Sequence, residues 1–264
     1  MAILPDEDGD KPEGCVIPFT YPNSTGWLGF FIMNAAQRGH GVGRALFAAA
    51  QDYFAKAGTQ YIGLDGVEAQ VETYGRRGFV TTDRIAWMVR SNTKDVPLPQ
   101  GQLSESERLV PLEEVDRALL VQSDLEHTGF ERRRLWSDEG MFSREDVSGF
   151  AVVDSKSPDR PVKGWILVRS CEKGFRFGPI YANTRETASL LVYTATESLE
   201  AREGSLVAEV WRSNKEAMSV MEHFGWTWYM DFHRMWVDAR VPEAQRKGGK
   251  AETGMFAIFD ASEG

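Results

Sequence analysis

The sequence predicts a mixed α/β (α+β) fold, a mixed sheet flanked by helices and built in two related domains. Three observations predict it. Strand-like and helix-like patterns alternate along most of the 264 residues. A glycine-rich loop, Gln37-Arg38-Gly39-His40-Gly41-Val42-Gly43-Arg44, joins an apolar run to an amphipathic one. The pattern of the first half then returns 147 positions later, where Gly78-Phe79 becomes Gly225-Trp226.

In chain order, residues 1–14 are rich in Asp, Glu, Pro and Gly and are expected to form a disordered lead-in. Residues 15–20 read as a short strand and 21–26 as a turn. The strand 27–33 feeds the glycine loop. A helix is expected over 44–57, with Leu46, Phe47, Ala50, Phe54 and Ala57 on one face and Gly58 as its stop. Residues 61–65 form a buried strand. Val67, Val71 and Tyr74 then recur at helical spacing up to Gly78, and 79–82 and 85–90 read as a closing pair of strands. The segment 96–106, with Val96-Pro97-Leu98-Pro99-Gln100-Gly101 at its head, reads as a linker. Beyond it come helical segments at 115–123 and 130–136 and strands at 149–154, 162–169 and 175–181. A helix with Ala188, Leu191, Ala195 and Leu199 inward follows, then a strand at 206–211, a helix at 215–224 and a last run of strands that includes 255–259.

Hydrophobic content of 42% and charged content of 26% are those of a globular protein. No apolar run approaches the ~20 residues of a membrane span, and the acidic N-terminus does not read as a signal peptide. Cys15 and Cys171 make no disulfide framework, and His40, His127, His223 and His233 show no metal-binding spacing. A cytoplasmic protein without a metal is expected. The net charge of −9 argues against nucleic acid as a partner, and the patterning against a membrane.

The loop is where chemistry is to be sought. Three glycines at alternate positions between strand and helix permit positive φ and close approach of a ligand to the backbone. A helix N-terminus adds unpaired amides and a partial positive charge suited to phosphate oxygens, and Arg38 and Arg44 can add charged contacts. A Rossmann fingerprint fails, because its last glycine, counted from Gly39, falls on Arg44. A P-loop fails for want of Gly-Lys-Ser/Thr. What remains is Arg-x-x-Gly-x-Gly, met by Arg38, Gly41 and Gly43.

This loop resembles the acetyl-CoA pyrophosphate loop of the Gcn5-related N-acetyltransferases, the GNAT superfamily. Tyr74-Gly75-Arg76-Arg77-Gly78-Phe79 resembles that family's Tyr-x-x-x-Gly-Phe signature. The resemblance over 15–90 implies acetyl-CoA as co-substrate. The main chain of Gly39, His40, Gly41, Val42, Gly43 and Arg44, with Arg38 beside it, would hold the pyrophosphate. The backbone of Ile32 and Met33 would pair with the pantetheine arm. It gives Tyr74 the role of general acid toward the departing thiolate, which a phenol of pKa ~10 suits; the alternative is a tyrosine packed with Val67 and Val71. For the general base Asp65 is best placed and Glu68 next, though either also suits the first turn of a helix, and a water chain would serve. The His40 side chain is expected to be exposed and incidental. The run Arg132-Arg133-Arg134 reads as a solvated helix face, and the eight tryptophans as core or cleft.

The repeat carries the pattern forward without the chemistry. Gly39, Gly41 and Gly43 become Glu186, Ala188 and Leu190, and Tyr74 becomes Met221. The segments 63–66 and 178–182 resemble the tandem-GNAT proteins, whose C-terminal domain is a diverged copy. The resemblance implies an abbreviated GNAT acetyltransferase domain at 15–95, since a complete one has an extra strand and one or two helices before this point. It implies a GNAT-like domain lacking the acetyl-CoA motif at 107–264, whose strands over 149–181 are the part the first half lacks. The implied activity is N-acetyl transfer to a primary amine, on a small molecule rather than a protein. The alternative is a non-catalytic acyl-CoA-binding or interaction protein of degenerate GNAT fold.

Overall fold

The computed structural model describes residues 2–5, 12–92, 95–199 and 202–264. It divides into two compact units, one of Met1–Thr82, His233–Val241 and Ala261–Gly264, the other of Asp83–Phe232 and Pro242–Asp260. Each is a mixed sheet flanked by helices.

In the first unit Ala2–Pro5 (β1) lies antiparallel to Pro12–Thr20 (β2), which pairs with Thr25–Met33 (β3). Strands therefore stand at 2–5 and 12–14 where composition suggests a disordered lead-in. Pairing of Leu4 with Gly14 and Ile3 with Cys15 gives these backbone groups partners, which composition alone does not register. The rest of that expectation, at 1 and 6–11, lies outside the described residues. Val42–Lys56 (α1) buries Leu46, Phe47, Ala50 and Phe54 in one core with Val16, Leu28 and Leu64, at about 1.5–3 kcal/mol for each large side chain. The helix ends at Gly58, whose φ of +67° only glycine adopts cheaply. Tyr61–Val67 (β4) and the short Val71–Gly75 (α2) follow.

Phe79–Ser91 (β5) is one strand, not the expected pair. Its polar middle stays extended because Ser213 Oγ donates to Asp83 at 2.5 Å and the Arg212 amide to the Arg84 carbonyl at 3.0 Å. Strands β3 and β4 run parallel but pair only through Thr25–Trp27 and Tyr61–Gly63. Beyond Trp27 and Gly63 they part, although β3 continues to Met33 and β4 to Val67. The neighbour of β4 on its other side is residues 233–237, from the far end of the chain. Met235 joins the core there, and Trp236 meets Trp27 edge-on at 5.6 Å.

The second unit begins with the end of β5. It continues through Glu107–Pro111 (β6), Arg117–Thr128 (α3), Val147–Asp154 (β7), Val162–Cys171 (β8), Gly174–Ala182 (β9) and Arg185–Glu197 (α4). Ser205–Trp211 (β10), Lys215–His223 (α5), the start of Thr227–Val237 (β11), Lys250–Gly254 (α6) and Met255–Ala257 (β12) complete it. Shifted by 147, β1 and β2 fall on β7 and β8. The first half therefore does have counterparts of the strands over 149–181; β6 and α3 before them, and α6 and β12 at the end, have no counterpart in the first unit. Residues 130–136 are turns, not a helix, because Arg132 reaches inward to Asp124 while Arg133 and Arg134 face solvent. The segment 96–106 is pinned: the Gln100 amide donates to Ser189 Oγ at 2.7 Å, and its side-chain oxygen accepts from Arg185.

The two units share a device. Residues 85–91 of β5 pair antiparallel with β10 in the second unit, as the end of β11 sits beside β4 in the first. These strands are equivalent under the repeat, so each unit's sheet takes in the equivalent strand from the other half of the sequence. One difference is chemical in consequence. Strands β9 and β10 also part after a short parallel pairing, but β12 fills the gap, with Met255 opposite Tyr181 and Ala257 opposite both Ile180 and Val210.

Candidate active site

The residues the resemblance assigns to acetyl transfer lie on β3, β4 and the segments that follow their C-terminal ends, an edge where ligands bind in open α/β sheets. After β3, Asn34 caps a 3-10 turn, Ala35–Gln37, through its side chain. The chain then reverses at Gly39 and Gly41, with φ of +86° and +84°. A Cβ built on either meets nothing within 4 Å, so the glycines answer to backbone conformation and leave open space before them. Helix α1 starts at Val42, two residues earlier than expected, because Gly41 itself takes the N-cap position, and no side chain caps it. Among the described residues the amides of 39–43 donate to no protein acceptor. Arg38, His40 and Arg44 are exposed, Arg38 leaning on the Met33 carbonyl at 3.4 Å. This cradle of free amides at the start of a fifteen-residue helix fits a pyrophosphate.

Strand β3 breaks its ladder on the way to the loop. The register with β2 shifts between Cys15 and Ile17, where Phe30 takes a φ of +50°, a conformation costly for a side chain of that size. Ile32, beyond the bulge, is 56% exposed. The bulge and the parting from β4 together leave main-chain groups of β3 facing the gap. The opposite end of the strand is closed off: Trp27 Nε1 donates to the Ala261 carbonyl at 2.9 Å, and the Ser262 carbonyl abuts Gly29.

Tyr74 is 8% exposed, its ring edge-on to Phe79 and packed so close to Gly66 that a side chain there would meet it at 3.1 Å. Its hydroxyl has no hydrogen-bond partner among the described residues. Burial raises its pKa, Arg77 pulling the other way, so the phenol keeps its proton at neutral pH.

Asp65 differs from the sequence expectation of an open general base. Its side chain is fully buried, and Arg234 Nε and Nη2 take its two oxygens at 2.9 and 2.5 Å. Arg234 in turn lies 4.5 Å over the Trp27 ring. A carboxylate sealed in this way serves the sheet. Glu68, by contrast, is 83% exposed and bonded to His233 at 2.7 Å. Sequence reasoning missed His233 and Arg234; the only available signal was that the repeat places Arg234 where Trp87 stands. The second unit has no such cradle at the equivalent place. Thr184 caps α4 with its own hydroxyl, and Glu186 occupies the first turn. Among the described residues no group of three or more His, Cys, Asp and Glu could hold a metal, and no helix is long and apolar enough to cross a membrane.

Comparison with known proteins matches the two halves of the sequence separately. Residues 2–79 match a model described as the Acetyltransferase (GNAT) family, and 120–247 one described as an Acetyltransferase (GNAT) domain. A curated relative, holothin acyltransferase of Pseudoalteromonas sp. (strain SANK 73390), is 27% identical over 193 residues. The match takes in 70% of this chain and 60% of that protein. Among solved structures, a presumed acetyltransferase of Pyrococcus horikoshii superposes with a TM-score of 0.73 at 18% identity, over 97% of this chain and 77% of that one. A tandem GNAT protein from the clavulanic acid biosynthesis pathway gives 0.62 at 15% identity, over 86% and 79%.

Proposed function

Since the chain belongs to the GNAT superfamily, as a member with two such domains in tandem, we propose that its first unit transfers an acetyl group from acetyl-CoA to a primary amine of a small molecule. The observation that carries this reading is the open glycine cradle, with its unpaired amides at the start of α1, beside the gap between β3 and β4. In this reading the amides of Gly39, His40, Gly41, Val42 and Gly43 bind the pyrophosphate; the Arg44 amide, expected to join them, donates to the Gly41 carbonyl at 3.0 Å instead, and Arg38 and Arg44 add positive charge through their side chains. The main chain of Ile32 and Met33 pairs with the pantetheine arm, which runs into the gap where β3 and β4 part. That course brings the thioester to the buried ring of Tyr74. The attacking nitrogen adds to the carbonyl carbon, the carbon–sulfur bond breaks, and the Tyr74 hydroxyl protonates the sulfur. The name of the holothin acyltransferase relative supports acyl transfer as the reaction class.

The sealed state of Asp65 favours a second reading, a protein that binds acyl-CoA without turnover. Calorimetry separates the steps. Acetyl-CoA should bind the wild type, and Gly41→Val should lose that binding while remaining folded, because a β-branched residue tolerates neither the φ of +84° nor a ligand at its Cα. Unchanged affinity in the folded variant would refute the cradle. Thiol release with a panel of primary amines then distinguishes catalysis from binding.

A further inference from the structure

Two acidic residues at the end of β4 meet two consecutive residues of β11 in opposite ways. Asp65 is closed: buried, with both oxygens held by the cation of Arg234. Glu68 is open: exposed, with Oε2 bonded to His233 and Oε1 without a hydrogen-bond partner among the described residues. We propose that Glu68 accepts the proton of the attacking amine and that His233, supplied from the second half of the sequence, is the positioning residue that holds it. The proposal rests on the acetyl-transfer reading.

The direction of the hydrogen bond follows from the contacts. An ionised carboxylate offers only lone pairs, so Nε2 of His233 carries the hydrogen and donates it. Nδ1 is buried and without a hydrogen-bond partner among the described residues, on a side chain only 7% exposed, so the bond to Glu68 is the polar anchor of the ring. Arg234 occupies both oxygens of Asp65, whereas His233 occupies one oxygen of Glu68 and leaves the other open to a substrate. The location fits as well. Glu68 heads the turn out of β4, and the chain from there enters α2, whose Tyr74 packs on Gly66. Residues 66–74 thereby carry both a proton acceptor and a proton donor. A role for Glu68 in favouring a helix start would not call for a buried histidine 165 positions away.

The atoms balance in the usual order for acyl transfer. The amine lone pair forms the carbon–nitrogen bond, and the nitrogen, acidic once bonded to the carbonyl carbon, passes its proton to Glu68. The carbon–sulfur bond then breaks, and the sulfur takes the proton of Tyr74. The carboxylic acid and the phenolate re-equilibrate with water.

The test uses the full chain, with acetyl-CoA and the amine on which the wild type is fastest among polyamines, arylalkylamines and amino sugars. Glu68→Gln should lower kcat by ~10²-fold or more, with the acetyl-CoA Kd within ~2-fold of wild type. His233→Leu, which removes the donor, should lower kcat by ~10-fold or more, and His233→Gln, whose amide can donate, should recover most of that loss. Should His233→Leu fail to fold, Glu68→Gln and His233→Gln carry the test. Glu68→Gln turning over within ~3-fold of wild type, where chemistry limits the rate, would overturn the proposal alone. So would His233→Gln being as slow as His233→Leu. A wild type that binds no acetyl-CoA, or binds it and acetylates no amine, would overturn the acetyl-transfer reading and this proposal with it.

Discussion

Tyr74 and Asp65 stand nine positions apart on the same short stretch, and their surroundings give them opposite fates. Tyr74 has a buried ring and an unengaged hydroxyl, so Tyr74→Phe removes a proton donor and little packing. It should leave the acetyl-CoA affinity nearly intact and lower kcat by ~10²–10⁴-fold, measured where the chemical step limits the rate. Equal turnover would reduce the residue to core filling. Asp65→Ala should act on stability. It strands the guanidinium of Arg234, 1% exposed, without its counter-ion, at a cost of about 3–5 kcal/mol by chemical denaturation. A solvent-facing base would cost less than about 0.5 kcal/mol when truncated, so the size of the loss decides between the two roles. The placement of Tyr74 beside Phe79 was legible because its signature is local, four residues from a glycine that must turn the chain. The state of Asp65 was not, because its partner lies 169 positions away and enters through a strand that no local pattern ties to β4. His233 was illegible for the same reason.

At the scale of elements, what the sequence conveyed best was periodicity with punctuation. The buried face of α1 is the predicted one except for Ala57, and its stop is the predicted glycine. Register and continuity were harder. The closing pair expected over 79–90 is one strand because Ser213 and Arg212, far along the chain, bind its polar middle. The second helical segment beyond the linker is a set of turns because one arginine of three, Arg132, joins Asp124 and Tyr181 in a buried network. The loop shows how far a motif reaches. Its spacing suggested a phosphate cradle, and the positive φ values and uncapped helix start found there have the geometry that reading requires. Nothing in the spacing announced β12, a three-residue strand that closes the equivalent gap between β9 and β10. The glycines lost from the second half and the gap filled there leave the second unit without the two features on which the proposed cofactor site of the first unit rests.

The whole molecule is organised by the repeat, and the repeat is completed by exchange. The first unit needs residues 233–241 and 261–264 as well as 1–82. Without them β4 loses its neighbour on one side, Asp65 loses Arg234, and the core with Leu64 and Phe79 loses Met235. Trp27 loses its edge-on contact with Trp236 and the Ala261 carbonyl from its indole N–H. A fragment of residues 1–98 would expose the edge of β4 with a buried-type carboxylate on it, both conditions that oppose folding and invite aggregation. Below about 100 residues a domain has little core to spare against such losses. The fragment should therefore be insoluble or melt without cooperativity, and adding residues 99–264 in trans should restore a soluble complex that binds acetyl-CoA, because the missing strand then returns. The second half loses the end of β5 beside β10 when alone, so it should gain stability from the mixing as well. Scanning calorimetry of each fragment and of the mixture reads both effects. A 1–98 fragment that melts cooperatively and binds acetyl-CoA by itself would show that the exchanged strand is dispensable, and with it the supply of His233 and Arg234 to the site.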